Sequence, residues 1–261
     1  MTDRNRNFRT DSAPIEYLLL CTARAIDTVC SFILWCCWLA SQFSNEFESV
    51  GRMQPKSVLL SLPYFGPISW YSEFIRADEI AIEACENFQK QSFRNRTYIV
   101  DPNRVLPLVV PIVHQPGNSR QRYSEVKISY AANWQKDHWK ALESSYRSSP
   151  YFEFYEDFFR PLFQHAEFEL LMEFNKKTHA TIVQLLDLAD KTVSWTQSYA
   201  SEFVGKDLRE VIHPKKSFGL DMKPSYHQVF SPENSLHPNI SVLDLLFNVG
   251  PQARQILLGF S

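Results

Sequence analysis

The chain contains little glycine, and its few glycines are far apart. Glycine makes up 7 of the 261 residues, and no two are closer in sequence than Gly250 and Gly259. Walker A and GxGxxG loops need clustered glycines, because only a backbone without side chains lets N–H groups approach the phosphates closely. The sequence therefore excludes both kinds of nucleotide-binding loop.

Cysteine is also scarce outside the start of the chain. Four of the 5 cysteines precede residue 38, and Cys85 is the remaining one. A secreted, disulfide-stabilised fold would distribute its cysteines through the domain. In addition, no group of cysteines and histidines has the spacing of zinc ligands. These patterns predict a cytoplasmic protein without a metal site, and they identify no cofactor.

The sequence has no strong net charge. It holds 27 basic and 29 acidic residues, which gives a formal charge of −2. Such a protein has no positive field that would attract nucleic acid or an anionic membrane to its whole surface. We therefore expect no nucleic-acid partner. Any site for a small anionic substrate must be local.

Residues 1–52 differ in composition from the rest of the chain. Residues 28–45 include no charged side chain, but interspersed polar residues leave fewer than the ~20 consecutive apolar residues of a typical membrane-spanning helix. Two interpretations stay open: translation starts naturally at Met53, so that residues 1–52 lie outside the fold, or residues 28–45 form a weak membrane anchor. We predict one domain over residues 53–261, and no membrane association unless the anchor is real.

Apolar patterns over residues 53–261 predict strands first and helices later. The expected strands are Val58–Leu62, Ile80–Ala84, Thr97–Val100, Val105–Val113 and Val126–Tyr130, and the expected helices are Ile68–Ile75, 134–146 and 168–188. Asn133 and Ser241 are expected to act as helix N-caps, and the segment 190–238, with four prolines, is expected to be rich in loops. The pattern predicts an α/β or α+β fold, with a strand-rich N-terminal half followed by a mainly helical C-terminal half.

The basic segment Gln89–Arg96 is the most informative part of the sequence, because it holds three cations and three side-chain amides in eight residues. In an extended strand, alternation would place Lys90, Arg94 and Arg96 on one face. Guanidinium groups offer paired donors that match a phosphate or a carboxylate. The segment therefore predicts an anion-binding element. The alternative is a solvated edge strand, where charges discourage unwanted strand pairing.

Trp134 and His138 lie one turn apart in an expected helix and can face a common surface. A histidine titrates near neutral pH and suits the role of a general base, and a tryptophan ring can stack on a sugar or a base. The alternative is a half-buried tryptophan beside a hydrogen-bonded histidine.

Two further groups are candidates for the same site. His213 and Lys215 lie in a proline-flanked loop and can complete an anion site, and the alternative is an ordinary solvated loop. Asp244 and Asn248 lie four residues apart in the helix that follows Ser241, where an inward Asp244 can pair with the arginines. Helix capping is the alternative explanation of Asp244.

Several of these segments, taken in order, resemble the WbqC-like protein family, in the shorter form found in the Bacteroidetes group. The matching stretches are Met53–Pro55, Tyr64–Ile68, Gln89–Arg96, Trp134, His138–Trp139, Tyr146–Phe152, His213–Lys215, Tyr226–Phe230 and Pro238–Asn248. They cover the chain from residue 53 to its end and leave residues 1–52 outside. Many members place a glutamine before the Pro-Tyr-Phe element, whereas Leu62 stands there in this chain. The departure removes a hydrogen-bonding group from that position.

The resemblance implies a role in surface-polysaccharide or O-antigen biosynthesis, with which members of the family are associated. Some members are labelled as transferases acting on amino sugars. Ligand-binding roles are carried over onto Lys90, Arg94, Asn95 and Arg96, and further site roles onto His138, His213, Lys215, Asp244 and Asn248.

Our leading hypothesis is a transferase, of an aminoacyl or acyl type, acting on an amino sugar or a nucleotide-linked sugar. In this hypothesis the basic segment holds a diphosphate or a carboxylate and Trp134 stacks on a ring. His138 or Asp244 accepts the proton of an attacking amine. The alternative is a non-catalytic anion-binding or scaffolding component of a glycan assembly system.

Overall fold

The computed structural model describes residues 56–114, 120–164, 168–216, 226–230 and 239–259. Residues 1–52, and with them the two interpretations of the apolar segment, lie outside these ranges. Within the ranges, none of the helices has both the length and the apolar character needed to cross a membrane.

In the described part of the chain, six strands form two sheets. They are β1 (Ser57–Ser61), β2 (Glu79–Glu83), β3 (Arg96–Asp101), β4 (Arg104–Val109), β5 (Val193–Trp195) and β6 (Lys206–Asp207). The larger sheet is parallel throughout and has the order β5-β2-β1-β6. Strand β1 is an apolar run with a buried centre, which is typical of parallel sheets that are covered on both faces.

Strands β3 and β4 form a separate antiparallel hairpin. Their register pairs Tyr98 with Pro107, and the N–H of Val110 donates to the carbonyl of Asn95 at 2.8 Å just beyond the paired residues. Strand β4 accommodates a proline because, among the described residues, it pairs with β3 alone and so has one free edge.

Six helices complete the described fold. They are α1 (Ile68–Arg76), α2 (Trp134–Tyr146), α3 (Phe152–Gln164), α4 (Leu171–Leu185), α5 (Val242–Val249) and α6 (Ala253–Leu258). Helix α5 begins at its predicted N-cap, because Ser241 Oγ accepts a hydrogen bond from the N–H of Leu243 at 3.2 Å. It ends at Gly250, whose φ of 56° suits glycine and where a Cβ atom would overlap the ring of Tyr151.

The turn between β1 and α1 sends aromatic rings into the core. Tyr64 and Phe65 are fully buried although both lie in this turn. The ring of Phe65 packs against those of Phe159 and Phe163 in α3, with centroids 5.8 and 6.0 Å apart. The N–H of Tyr64 donates to the carbonyl of Phe93 at 2.8 Å. The turn thus connects the parallel sheet to the helices and to the basic segment.

The predicted fold class is confirmed, since strands dominate the first half of the described domain and helices the second. One local prediction is wrong. Residues 126–130 do not form a strand, because their backbone contacts go to separate segments: Ile128 donates to the carbonyl of Glu169 and bridges to Ile112. The described residues of the segment 190–238, expected to be rich in loops, also include β5 and β6. These strands are too short for an alternating pattern to be visible in the sequence.

Candidate functional site

The parallel sheet provides a crevice at the carboxyl ends of its strands. From β1 the chain passes through α1 to β2 on one side, whereas β6 lies on the other side of β1. In open parallel sheets, ligands bind beyond the carboxyl ends of the strands, in the crevice that opens where the chain continues to opposite sides of one strand. We name the surrounding polar residues the carboxyl edge. They are Ser61, Glu83, Glu86, Arg94, Asp207 and Arg209.

Arg94, which the sequence predicts as a ligand-binding residue, is buried at the carboxyl edge, with 3% of its surface exposed. Its Nε donates to Glu86 Oε1 at 2.7 Å, and its Nη2 donates to the other oxygen of the same carboxylate and to Ser61 Oγ at 2.8 Å. Its Nη1 donates to Gln89 Oε1 at 3.1 Å. The two hydrogen bonds to the carboxylate of Glu86 form a bidentate pair, which fixes the plane of the Arg94 guanidinium group.

A second buried arginine, Arg209, lines the other side of the crevice. Its Nη1 donates to Glu83 Oε2 at 3.0 Å, while its Nε and Nη2 donate to the carboxylate of Asp207. These hydrogen bonds hold the pKa of Asp207 below its usual range. The ring of Tyr199 stacks on the guanidinium group, with Cζ 4.8 Å from the ring centroid.

Sequence reasoning misses Arg209 and Glu83, which are 126 residues apart. No motif connects them, so only folding brings them together. One signal could have located them: Glu83 ends an apolar strand, and a charged residue at the carboxyl end of a parallel strand is well placed for a site.

A small cavity lies between the two arginines. Its lining residues are Ser61, Leu62, Pro63, Trp70, Phe93, Arg94, Leu208, Arg209 and Ile212. The volume of about 10 Å³ has room for roughly one water molecule. Leu62 is fully buried in this lining. The wall is therefore apolar at that position, and the guanidinium groups supply the nearby charge.

Both guanidinium groups keep N–H donors that bond to none of the described residues. A guanidinium has five N–H donors, and the contacts above occupy four in Arg94 and three in Arg209. One donor of Arg94 and two of Arg209 therefore have no acceptor among the described residues. Oriented donors of this kind can bind a phosphate or carboxylate oxygen.

The basic segment forms a turn, so the extended ladder of cations expected from alternation is wrong. Gln91 adopts a φ of 61°, and Asn175 in α4 holds the turn by donating to the carbonyl of Arg94 at 2.6 Å. The turn directs Arg94 inward and leaves Lys90 exposed. Lys90 and Arg94 would share one face of an extended strand, but in the structure the first is exposed and the second is buried.

Asn95 and Arg96 follow this turn. The Asn95 amide donates to the carbonyl of Val110 at 3.1 Å, and its Oδ1 is buried without a partner among the described residues. Arg96 begins β3 and is half-buried, and its buried Nε likewise has no partner there. Their ligand-binding roles stay predictions.

The loop that carries His213 and Lys215 lies next to the basic segment. The side-chain amide of Gln89 donates to the carboxylate of Glu210, which joins the two. His213 Nδ1 accepts a hydrogen bond from the backbone N–H of Lys215 at 3.2 Å. In the neutral ring this bond assigns the proton to Nε2, which can then donate to an anion.

Burial is the main reason why the pKa of His213 is lowered. The charge of Glu210 opposes this effect, whereas the cations of Lys216, Arg94 and Lys215 reinforce it. The side chain of Lys215 is exposed and has no partner among the described residues. The contact between Gln89 and Glu210 joins the loop of His213 and Lys215 to the basic segment, and the binding roles of these two residues stay predictions.

Trp134 and His138 lie together in the core. His138 Nδ1 is 2.9 Å from the hydroxyl oxygen of Tyr64. Burial lowers the pKa of His138 to about 4, although a hydrogen bond with the backbone of Val109 opposes the shift. The ring of Trp134 is packed against His138 and Phe174, with centroids 5.1 and 5.6 Å away. Their roles as a general base and a stacking ring stay predictions.

Asp244 is fully buried on α5 and is held by neutral donors. Its carboxylate accepts hydrogen bonds from the hydroxyls of Tyr146 and Tyr226 and from the amide of Gln228. Burial raises the pKa of Asp244, and these three hydrogen bonds lower it in part. Within the described ranges, no arginine is among its partners.

Asn248 lies one turn further along α5. Its Nδ2 donates to the carbonyl of Asp244 at 2.7 Å, and its Oδ1 accepts from the N–H of Val229 at 3.1 Å. Asp244 and Asn248 together therefore hold residues 226–230 against the helix. The catalytic role of the first and the binding role of the second stay predictions.

The described residues include no cluster of three or more histidine, cysteine, aspartate or glutamate side chains that could hold a metal ion. The chemistry available at the carboxyl edge is that of guanidinium, carboxylate and hydroxyl groups, and the loop joined to the basic segment carries the imidazole of His213.

These features define a mixed α/β protein with an open parallel sheet and paired, buried arginines at its carboxyl edge. A sequence profile of the WbqC-like protein family matches residues 62–221, and the chain belongs to this family. The match includes every residue of the carboxyl edge except Ser61 and ends before Asp244. The chain is 27% identical, over 224 residues, to an uncharacterised protein of Mycobacterium tuberculosis, and the alignment covers 74% of this chain and 91% of the relative. No solved structure matches the chain significantly.

Proposed function

We propose that the carboxyl edge binds the phosphate or carboxylate group of a nucleotide-linked amino sugar, and that the protein is a transferase acting on this sugar in surface-polysaccharide or O-antigen biosynthesis. One observation carries the proposal: Arg94 and Arg209 are buried and line the crevice, and each keeps at least one N–H donor without an acceptor among the described residues. The association of WbqC-like proteins with polysaccharide synthesis supports the class of substrate.

The carboxylates of the edge orient the guanidinium groups before a ligand arrives. Glu86 holds Arg94, and Glu83 and Asp207 hold Arg209. Preorganised donors stabilise an anion strongly because they need no rearrangement when it binds. His213 Nε2–H and the side chain of Lys215 would add donors from the neighbouring loop.

A thermal-shift experiment with nucleotide-linked amino sugars tests the binding part of the proposal. A ligand present at 100 times its Kd stabilises a protein by about 2.7 kcal/mol. We expect a raised Tm for the wild type and a much smaller shift for Arg94→Lys, because lysine cannot make the bidentate contact. Arg147→Lys, a substitution of a partly exposed arginine in a surface ion pair, is the matched control and should keep the wild-type response.

Two outcomes would change the proposal. If no nucleotide sugar shifts the Tm at millimolar concentration, the binding site is wrong. If such sugars bind but mass spectrometry detects no modified sugar after incubation with acyl and aminoacyl donors, the alternative is favoured, which is a non-catalytic anion-binding component of a glycan assembly system.

A further inference from the structure

Tyr199 presents an open aromatic face at the carboxyl edge. Its ring covers the guanidinium of Arg209 at 4.8 Å, yet 58% of the residue is exposed to solvent. One face of the ring therefore meets a cation, while much of the remaining surface is free. An exposed aromatic ring beside a crevice that carries cations offers a surface on which a planar ligand group can stack.

The segment around Tyr199 is anchored to the sheet. The N–H of Ala200 donates to Glu83 Oε2 at 3.0 Å, and the hydroxyl of Thr196 donates to Glu83 Oε1 at 2.6 Å. The same carboxylate accepts a hydrogen bond from Arg209. Glu83 therefore fixes the position of the Tyr199 ring relative to the arginine, and a ligand can meet both groups in one arrangement.

The other strongly exposed aromatic side chains lie in different surroundings. Phe154 and Phe158 are 73% and 43% exposed, but both are on α3. Tyr130 is 42% exposed, and its hydroxyl donates to the carbonyl of Phe168 at 3.0 Å. Among the cation–ring pairs of the described residues, the one formed by Arg209 and Tyr199 includes a residue of the carboxyl edge. Tyr199 is thus the exposed ring that adjoins the candidate anion site.

We infer that Tyr199 is the stacking platform for the base of a nucleoside diphosphate whose phosphates bind in the crevice at the carboxyl edge, to the remaining N–H donors of Arg94 and Arg209. The inference rests on the proposed function and names the residue that would distinguish a nucleotide from a bare anion. Bases stack on aromatic side chains through their π faces, and removal of such a ring weakens binding roughly 5- to 150-fold per base. Tyr199 would then take the stacking role that the sequence assigns to Trp134.

Isothermal titration calorimetry with UDP, ADP and pyrophosphate tests the platform. We expect the wild type to bind the nucleoside diphosphates more tightly than pyrophosphate. Tyr199→Ala should weaken nucleoside diphosphate binding roughly 5- to 150-fold and leave pyrophosphate binding unchanged, whereas Tyr199→Phe keeps the ring and should keep the affinity. Phe154→Ala, which removes an exposed ring on α3, should behave like the wild type. Circular dichroism would verify that each variant is folded.

The two proposals fail in distinguishable ways. If pyrophosphate binds and Arg94→Lys weakens it, but Tyr199→Ala binds nucleoside diphosphates as tightly as the wild type, the platform is wrong and the anion site stands. If neither pyrophosphate nor the nucleoside diphosphates bind, the proposed function is wrong and the platform with it.

Discussion

The carboxyl edge and the aromatic interior both bury ionisable side chains, but they provide different partners. At the edge, Arg94 and Arg209 are paired with carboxylates. In the interior, tyrosine hydroxyls are the partners. Tyr64 bonds to His138, and Tyr71 bonds to His179. Tyr146 and Tyr226 both donate to the carboxylate of Asp244.

The difference decides which region can bind a charged ligand. A guanidinium paired with a carboxylate keeps its charge and retains donors, so it can still receive an anion. A tyrosine hydroxyl adds no charge that compensates for burial. Burial accordingly lowers the pKa of both His138 and His179 to about 4 and raises that of Asp244. The comparison teaches that the interior favours neutral groups, whereas the edge preserves charge.

The interior should respond most strongly to acid. Below pH 6.5 the histidines of the unfolded chain bind protons, whereas His138 and His179 in the folded state do so only near pH 4. Stability is therefore lost as the pH falls through this window, by up to about 3 kcal/mol per histidine. Urea unfolding at pH 7, 5.5 and 4.5 measures the loss.

Replacing these histidines should flatten the acid response. The double variant His138→Asn, His179→Asn should lose much of the pH dependence between 6.5 and 4. His227→Asn is the control, because His227 is exposed and should keep the wild-type slope. An unchanged slope in the double variant would contradict this explanation.

At the edge, the largest effect is expected from Glu86→Ala. This change leaves the buried guanidinium of Arg94 without its carboxylate, and the loss of one partner of a buried pair costs about 3–5 kcal/mol. Urea unfolding at pH 7 measures the change. Glu143→Ala removes a carboxylate from a partly exposed ion pair with Arg147 and should cost about 0–1 kcal/mol. Equal effects of the two substitutions would remove the distinction between edge and surface.

Asp244→Ala should have a somewhat smaller effect, because the donors it frees are neutral. The hydroxyls of Tyr146 and Tyr226 and the amide of Gln228 lose their acceptor, which we expect to cost about 3 kcal/mol. The measurement is again urea unfolding at pH 7. Asp190→Ala, at an exposed position between α4 and β5, should leave the stability unchanged.

The substitution Asp244→Asn adds a test by pH. The pKa of Asp244 in the folded protein is raised above its ordinary value of 3.8. The folded state therefore binds the proton more tightly than the unfolded state, and this adds to the free energy of unfolding at acid pH. The added stability is lost as the pH rises. The stability of the wild type relative to Asp244→Asn should therefore fall as the pH rises above 3.8. A constant difference between the two proteins over this range would show that burial does not act on the carboxylate as described.

The smallest expected effect belongs to Ser61→Ala. Its hydroxyl donates to Glu86 and accepts from Arg94, but these two residues keep their direct contacts. The loss of the hydroxyl should cost about 1 kcal/mol. Ser144→Ala, which removes an exposed hydroxyl of α2, is the control. A cost above that of Glu86→Ala would indicate that Ser61, and not the carboxylate, organises the edge.

Local patterns in the sequence predict much of the fold. The helix expected over 134–146 has those bounds in the structure, although Asn133 makes no side-chain capping bond. The first residue of this helix is thus predicted correctly, although the side chain of Asn133 does not make the capping hydrogen bond on which the prediction is based. Ser241, in contrast, both begins its helix and caps it. Regular elements with a clear apolar period or a local capping signal are accessible from sequence, because their determinants lie within a few residues.

The candidate site is only partly predictable. Sequence composition identifies Arg94 but neither its orientation nor its partner, because a left-handed conformation at Gln91 reverses the expected alternation. Arg209 approaches Glu83 only after β6 has joined the sheet beside β1. Contacts between residues that are distant in sequence depend on topology, and the local pattern does not encode it.

Pro107 has a consequence for how the protein behaves at high concentration. The bond between Val110 and Asn95 sets the alternation of the hairpin ladder, so the N atom of Pro107 points away from β3, toward the free edge of β4. A proline at this position presents no N–H to an approaching strand, and the row of donors along that edge is interrupted at its centre. The proline thereby protects the hairpin against edge-to-edge aggregation between molecules.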